Sequence, residues 1–162
     1  MRRLVLLRHG TAEAQAPNGR DRDRALSPRG HDEAARMGKW IATNARPDAV
    51  IASTAPRALT TARLVCEAVG IGEPKHDATL YGLEPAAFLR ALPGLPRVGT
   101  LLVVGHNPTM SAVAQHLTGD DDLETRGLPP AGCVVLDLPD DWTDLGARVA
   151  RHWRVVTPDA LR

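Results

Sequence analysis

Arginine and histidine stand side by side at positions 8 and 9, directly after an apolar run and directly before a glycine, in LVLLRHGTAE (4–13). A second arginine, Arg57, follows the run AVIA (49–52) within STAPR, and a second histidine, His106, follows TLLVV (100–104) within GHNP. Buried strands ordinarily give way to Gly, Asn, Asp or Pro. Anion-binding and proton-carrying groups at three such ends need a chemical reason. Guanidinium groups are planar, permanently charged forks that hold phosphate oxygens in pairs. An imidazole near neutral pH offers either a lone pair or a proton. Two of each suit phosphoryl transfer, which depends mostly on positioning and charge stabilisation. One neutral imidazole attacks phosphorus, and the second steadies the equatorial oxygens. Such a pocket can work without a metal, so neither a metal nor a cofactor is expected.

The elements around these residues explain how they could meet. The runs 4–7, 49–52 and 100–104 lack polar alternation, as in parallel strands covered on both faces. Ligands of an open α/β sheet bind beyond the carboxyl ends of its strands, where all four residues would then lie. Ser27-Pro28 reads as an N-cap and first helical residue, opening a helix of about sixteen residues. Pro56 opens a second helix, with Ala58, Ala62, Val65 and Val69 on one face and Gly70 as its stop. It sets Arg57 in a first helical turn, whose N–H groups and dipole favour an anion. Shorter helices are predicted over 85–92 and 108–117. The segments 131–138 and 147–156 read as strands, with Trp142 and Trp153 as core residues of this tail. The polar segment 13–23 reads as a mobile loop, and Asp120 to Asp122 as a solvated one. The pattern predicts one α/β domain over 1–162, a three-layer α/β/α sandwich. Its central sheet is mostly parallel, with an antiparallel edge from the C-terminal strands.

Composition excludes several classes. The net charge of +1 offers no electrostatic case for nucleic acid or a membrane surface. Lys39 and Lys75 are the only lysines, so arginine is the default cation here and most arginines need no functional reading. Cys66 and Cys133 carry no metal or disulfide spacing, which points to a reducing, cytoplasmic setting. No stretch is long and apolar enough for a membrane span. His31, His76 and His152 have no useful spacing and default to the surface.

The three motifs, in this order and each after a buried strand, resemble the histidine phosphatase superfamily. The segment DRDRALSPRGHDEAARMG (21–38) and the short stretch LYGLEPAAFLRAL (80–92) are similar to its compact SixA-like phosphohistidine phosphatases. The resemblance implies that His9 is the nucleophile, that Arg8 and Arg57 clamp phosphate, and that His106 holds the transferring group. It also implies a phosphorylated protein as substrate, such as a histidine-phosphotransfer domain, since little chain between 80 and 99 is available for a lid. A small phosphate ester and a non-catalytic phosphate-binding module are the alternatives. For a general acid the candidates are Glu84, Asp23 and neighbouring Asp21.

Overall fold

The computed structural model describes residues 1–161. Six strands, β1 (Arg2–Arg8), β2 (Ala49–Ala52), β3 (Lys75–His76), β4 (Thr100–Gly105), β5 (Cys133–Leu138) and β6 (His152–Val156), form one sheet. Their order is β3-β2-β4-β1-β5-β6. The first four run parallel, β5 runs antiparallel to β1, and β6 antiparallel to β5. The helices are α1 (Pro28–Asn44), α2 (Pro56–Val69), α3 (Pro85–Ala91), α4 (Thr109–Thr118) and α5 (Asp121–Thr125). The expected mixed α/β architecture with an antiparallel C-terminal edge is therefore observed.

Alternation along the central strands explains why both faces are covered. Leu4 and Leu6 of β1, with Leu101 and Val103 of β4, pack into a core shared with Phe88 of α3 and Met110, Val113 and Leu117 of α4. Val5, Leu7, Leu102 and Val104 face the other way, onto Met37 and Ile41 of α1 and Ala58, Ala62 and Val65 of α2. Successive strand side chains point to opposite faces, so a strand buried on both sides must be apolar at every position. Local signals set the helix ends. Ser27 Oγ accepts the Gly30 N–H at 3.1 Å as the cap of α1, and Gly70, at φ 82°, closes α2.

The tail differs from its sequence reading. β6 begins at His152, because the backbone before it does other work: the Arg148 and Ala150 amides donate to His116 and Leu117 carbonyls at the end of α4. They satisfy acceptors that a helix terminus leaves open. Asp121 and Asp122 lie in α5, capped by Asp120, whose side chain accepts the Asp122 N–H at 3.1 Å. Carboxylates in a first turn suit the helix dipole. Trp142 is buried under the Arg2 guanidinium, 3.7 Å from its ring. Trp153 is not a core residue: it is 42% exposed, on the edge strand, with its indole N–H on Asp120. The short β3 has no apolar signal. Lys75 and His76 are exposed, and backbone pairing to β2 alone makes it a strand.

Candidate active site

The carboxyl ends of β1, β2 and β4 converge on a cavity of about 590 Å³. Arg8, His9, Arg57 and His106 all line it, together with Gly10, Asp21, Arg24, Tyr81 and Asn107. The segment carrying Arg8 and His9 is fixed from several sides. The His9 amide donates to Gly105 O of β4 (3.1 Å) and the Gly10 amide to Thr61 Oγ1 of α2 (3.1 Å). The Thr11 amide donates to the carboxylate of Glu33, a buried residue of α1 (2.8 Å). Gly10 and Gly30 permit the close approach of this segment to α1. A Cβ on Gly30 would lie 2.1 Å from Thr11 O, and one on Gly10 would lie 2.8 Å from Gly30 O. The glycine of LSPRG is thus a packing requirement of the site.

His9 is buried, and its Nδ1 lies 2.7 Å from Gly10 O. A carbonyl can only accept, so Nδ1 carries the proton of the neutral ring and Nε2 keeps its lone pair. Arg57 Nε donates to that Nε2 at 3.3 Å. Burial, helped by Arg57, Arg8 and Arg24 against the pull of the Gly10 carbonyl, lowers the His9 pKa to about 4. Burial, then the neighbouring His9 and Arg57, lowers that of His106 to about 3. Both rings are therefore neutral at pH 7. Their centroids are 5.2 Å apart. His106 Nε2 meets Ser53 Oγ at 2.8 Å.

Arg57 is buried in the first turn of α2, and its outer nitrogens hold Asp21: 2.7 Å to the carbonyl and 3.1 Å to the carboxylate. Arg24 and the Tyr81 hydroxyl also bind that carboxylate, at 2.9 and 2.8 Å. These hydrogen bonds, from Arg24 first, hold the Asp21 carboxyl far below the usual carboxylate range. Segment 13–23, read as a mobile loop, is thus tied to the site at Asp21. Arg8 spends one N–H on Leu128 O (2.9 Å). Two buried nitrogens of cavity-lining side chains, Arg8 Nε and His106 Nδ1, have no partner among the described residues.

Two of the acid candidates are not brought to this cavity. Glu84 is exposed at the cap of α3. Asp23 is turned to Asn18 and Arg22 instead, because the 3-10 turn at Asp21–Asp23 directs Asp21 inward in its stead. Sequence reasoning missed Ser53, Thr61, Tyr81 and Glu33. Thr61 could have been found: four residues after Arg57, it shares that helix face, and its hydroxyl donates to the Arg57 carbonyl at 2.7 Å. The single tyrosine lies in a loop and gave no periodic signal.

Arginines and histidines gathered beyond the strands of a sheet of this kind define the class of α/β proteins that handle phosphate. Residues 4–82 match the sequence pattern of the histidine phosphatase superfamily (branch 1). An uncharacterized protein of Mycobacterium tuberculosis is 36% identical over 163 residues, covering 94% of this chain and 92% of its own. Among solved structures, an Agrobacterium tumefaciens protein assigned as the phosphohistidine phosphatase SixA superposes with a TM-score of 0.77. It is 32% identical, over 96% of this chain and 95% of that one. A Nakamurella protein with the same assignment gives 0.71 at 29% identity, over 94% and 95%. The chain belongs to the histidine phosphatase superfamily, in its SixA-like branch, and is a phosphatase.

Proposed function

We propose that this phosphatase hydrolyses phosphohistidine, or another phosphorylated protein side chain, through a covalent intermediate on His9. The observation that carries the reading is the unprotonated Nε2 of His9, left so by the Gly10 carbonyl on Nδ1 and held in the cavity by a 3.3 Å hydrogen bond from Arg57 Nε, which a phosphoryl oxygen would take over. A phosphoryl group there would meet Arg8, Arg57 and His106, and its oxygens would satisfy the two unpartnered nitrogens, Arg8 Nε and His106 Nδ1. His9 Nε2 attacks phosphorus while the bond to the leaving nitrogen or oxygen breaks, and the leaving group takes up a proton. Water then attacks the phosphohistidine, releasing inorganic phosphate and restoring neutral His9. The arginines carry the negative charge throughout.

A protein substrate is supported by what the segment between 80 and 99 does. Phe88 and Leu92 are committed to the core beneath α4, so this stretch is spent on packing. The relatives assigned as SixA carry that activity in their names. The two free, buried cysteines suit a cytoplasmic enzyme. A small phosphate ester is the second reading, favoured by a cavity volume in the range of small-ligand pockets.

The test is hydrolysis of a phosphohistidine-bearing protein and of a panel of phosphomonoesters, with and without EDTA. Preference for phosphohistidine, unaffected by EDTA, is expected. A sharp preference for one small ester would move the enzyme to the second reading. Tight phosphate binding with no turnover of any substrate would leave a phosphate-binding module.

A further inference from the structure

Ser53 sits wholly buried just past β2, its amide held by the Val104 carbonyl at 3.0 Å. Its hydroxyl has one proton and two lone pairs to place. The Ala55 N–H donates to Oγ at 3.3 Å, taking one lone pair. His106 Nε2, at 2.8 Å, is the other partner. If Nε2 carried the proton, it would fill the second lone pair, and the hydroxyl hydrogen would be buried without an acceptor among the described residues. Folded proteins avoid such a group. If instead the hydroxyl donates to Nε2, its proton and one lone pair are partnered and only a second lone pair is left over, a smaller cost than a buried donor without an acceptor. The proton of the neutral ring then resides on Nδ1, the very nitrogen that is buried without a partner.

We propose that Ser53 is a positioning residue that holds His106 in the Nδ1–H tautomer, reserving that N–H for an oxygen of the phosphoryl group. The contrast with His9 is instructive. His9 spends its Nδ1–H on the Gly10 carbonyl and leaves Nε2 unprotonated in the cavity, where it accepts from Arg57. His106 spends its lone pair on Ser53 and offers a proton. One backbone carbonyl and one hydroxyl thereby turn two copies of the same side chain into a nucleophile and a hydrogen-bond donor. A doubly protonated His106 would donate from both nitrogens, but burial beside His9 and Arg57 disfavours that charge. The functional half of the proposal rests on the phosphatase mechanism above; the tautomer does not.

Nitrogen-15 NMR of the imidazole rings at pH 7 reads the tautomer directly, in the wild type and without substrate. The expected spectrum has a protonated Nδ1 and an acceptor-type Nε2 for His106. In Ser53→Ala the ring should become a mixture of tautomers. Its kcat should fall about 10- to 100-fold, less than the 10²–10³ cost of deleting a donor outright, with KM changed by less than about threefold, as for an interaction made in the transition state. Ser53→Thr keeps the hydroxyl and should retain both the Nδ1–H tautomer and most of kcat. A wild-type His106 protonated on Nε2 would overturn the proposal, whatever the variants do. So would a Ser53→Ala enzyme that keeps the Nδ1–H tautomer. Failure of the wild type to hydrolyse phosphohistidine, with the predicted tautomer observed, would instead count against the substrate reading alone.

Discussion

At the scale of single residues, the site depends on keeping an imidazole uncharged among guanidinium groups. Burial and the nearby arginines hold His9 near a pKa of 4, so its Nε2 is unprotonated across the whole neutral range, as the proposed attack on phosphorus requires. The acidic limb of kcat/KM due to His9 should therefore lie near pH 4, once the substrate's own ionisation is divided out. A limb at about 6.5 that coincides with the NMR titration of the His9 ring would show that the ring is not desolvated in solution. Stability follows the same shifts. Unfolded histidines bind protons below about pH 6.5, whereas folded His9 and His106 resist until about 4 and 3. Between those limits the unfolded state holds more protons, so stability is full above about 6.5 and falls as the pH drops toward 4. His106→Asn should flatten that fall in thermal unfolding. For the arginines, Arg8→Ala or Arg57→Ala should each cost about 10²–10⁴ in kcat/KM through lost charge stabilisation. Initial rates at substrate concentrations well below KM would reveal this, and a loss under tenfold would remove either from the clamp.

Among elements, the approach of the first βα segment to α1 sets the precision of the site. Gly30→Ala places a methyl group 2.1 Å from the Thr11 carbonyl, a clash with backbone that only a shift of helix or loop relieves. Overpacking of this kind costs about 1–3 kcal/mol. The variant should unfold at a lower temperature and lose activity beyond its loss of stability, because the same loop carries His9. Retained activity with an unchanged Tm would show that the contact is slack. Much of this level was legible beforehand. Uninterrupted apolar runs marked β1, β2 and β4, and Ser27-Pro28 and Pro56 marked the helix starts, because burial on two faces and capping are local demands. What escaped were features that depend on distant backbone. The start of β6 was pre-empted by carbonyls at the end of α4, and the exposure of Trp153 follows from lying on an edge strand. The second rank of the site was equally silent: Ser53, Glu33 and Tyr81 act through partners brought near only by folding.

Across the whole molecule, the sheet brings three strand ends to one cavity, and the proposed chemistry rests on the residues placed there. The four residues Arg8, His9, Arg57 and His106 come from segments separated by more than half the chain, yet parallel pairing of β1, β2 and β4 aligns their carboxyl ends. Only one of the acid candidates, Asp21, shares that cavity, where it is already bound by Arg57, Arg24 and Tyr81. In the proposed mechanism, turnover passes through phosphorus bonded to His9. The most direct measurement is rapid quenching of the enzyme with a radiolabelled phosphoryl donor, followed by peptide mapping of the trapped protein. An acid-labile, alkali-stable label is expected on the peptide containing His9, absent from an inactive His9→Ala enzyme. Full turnover by His9→Ala, or a kinetically competent label on any other residue, would contradict it.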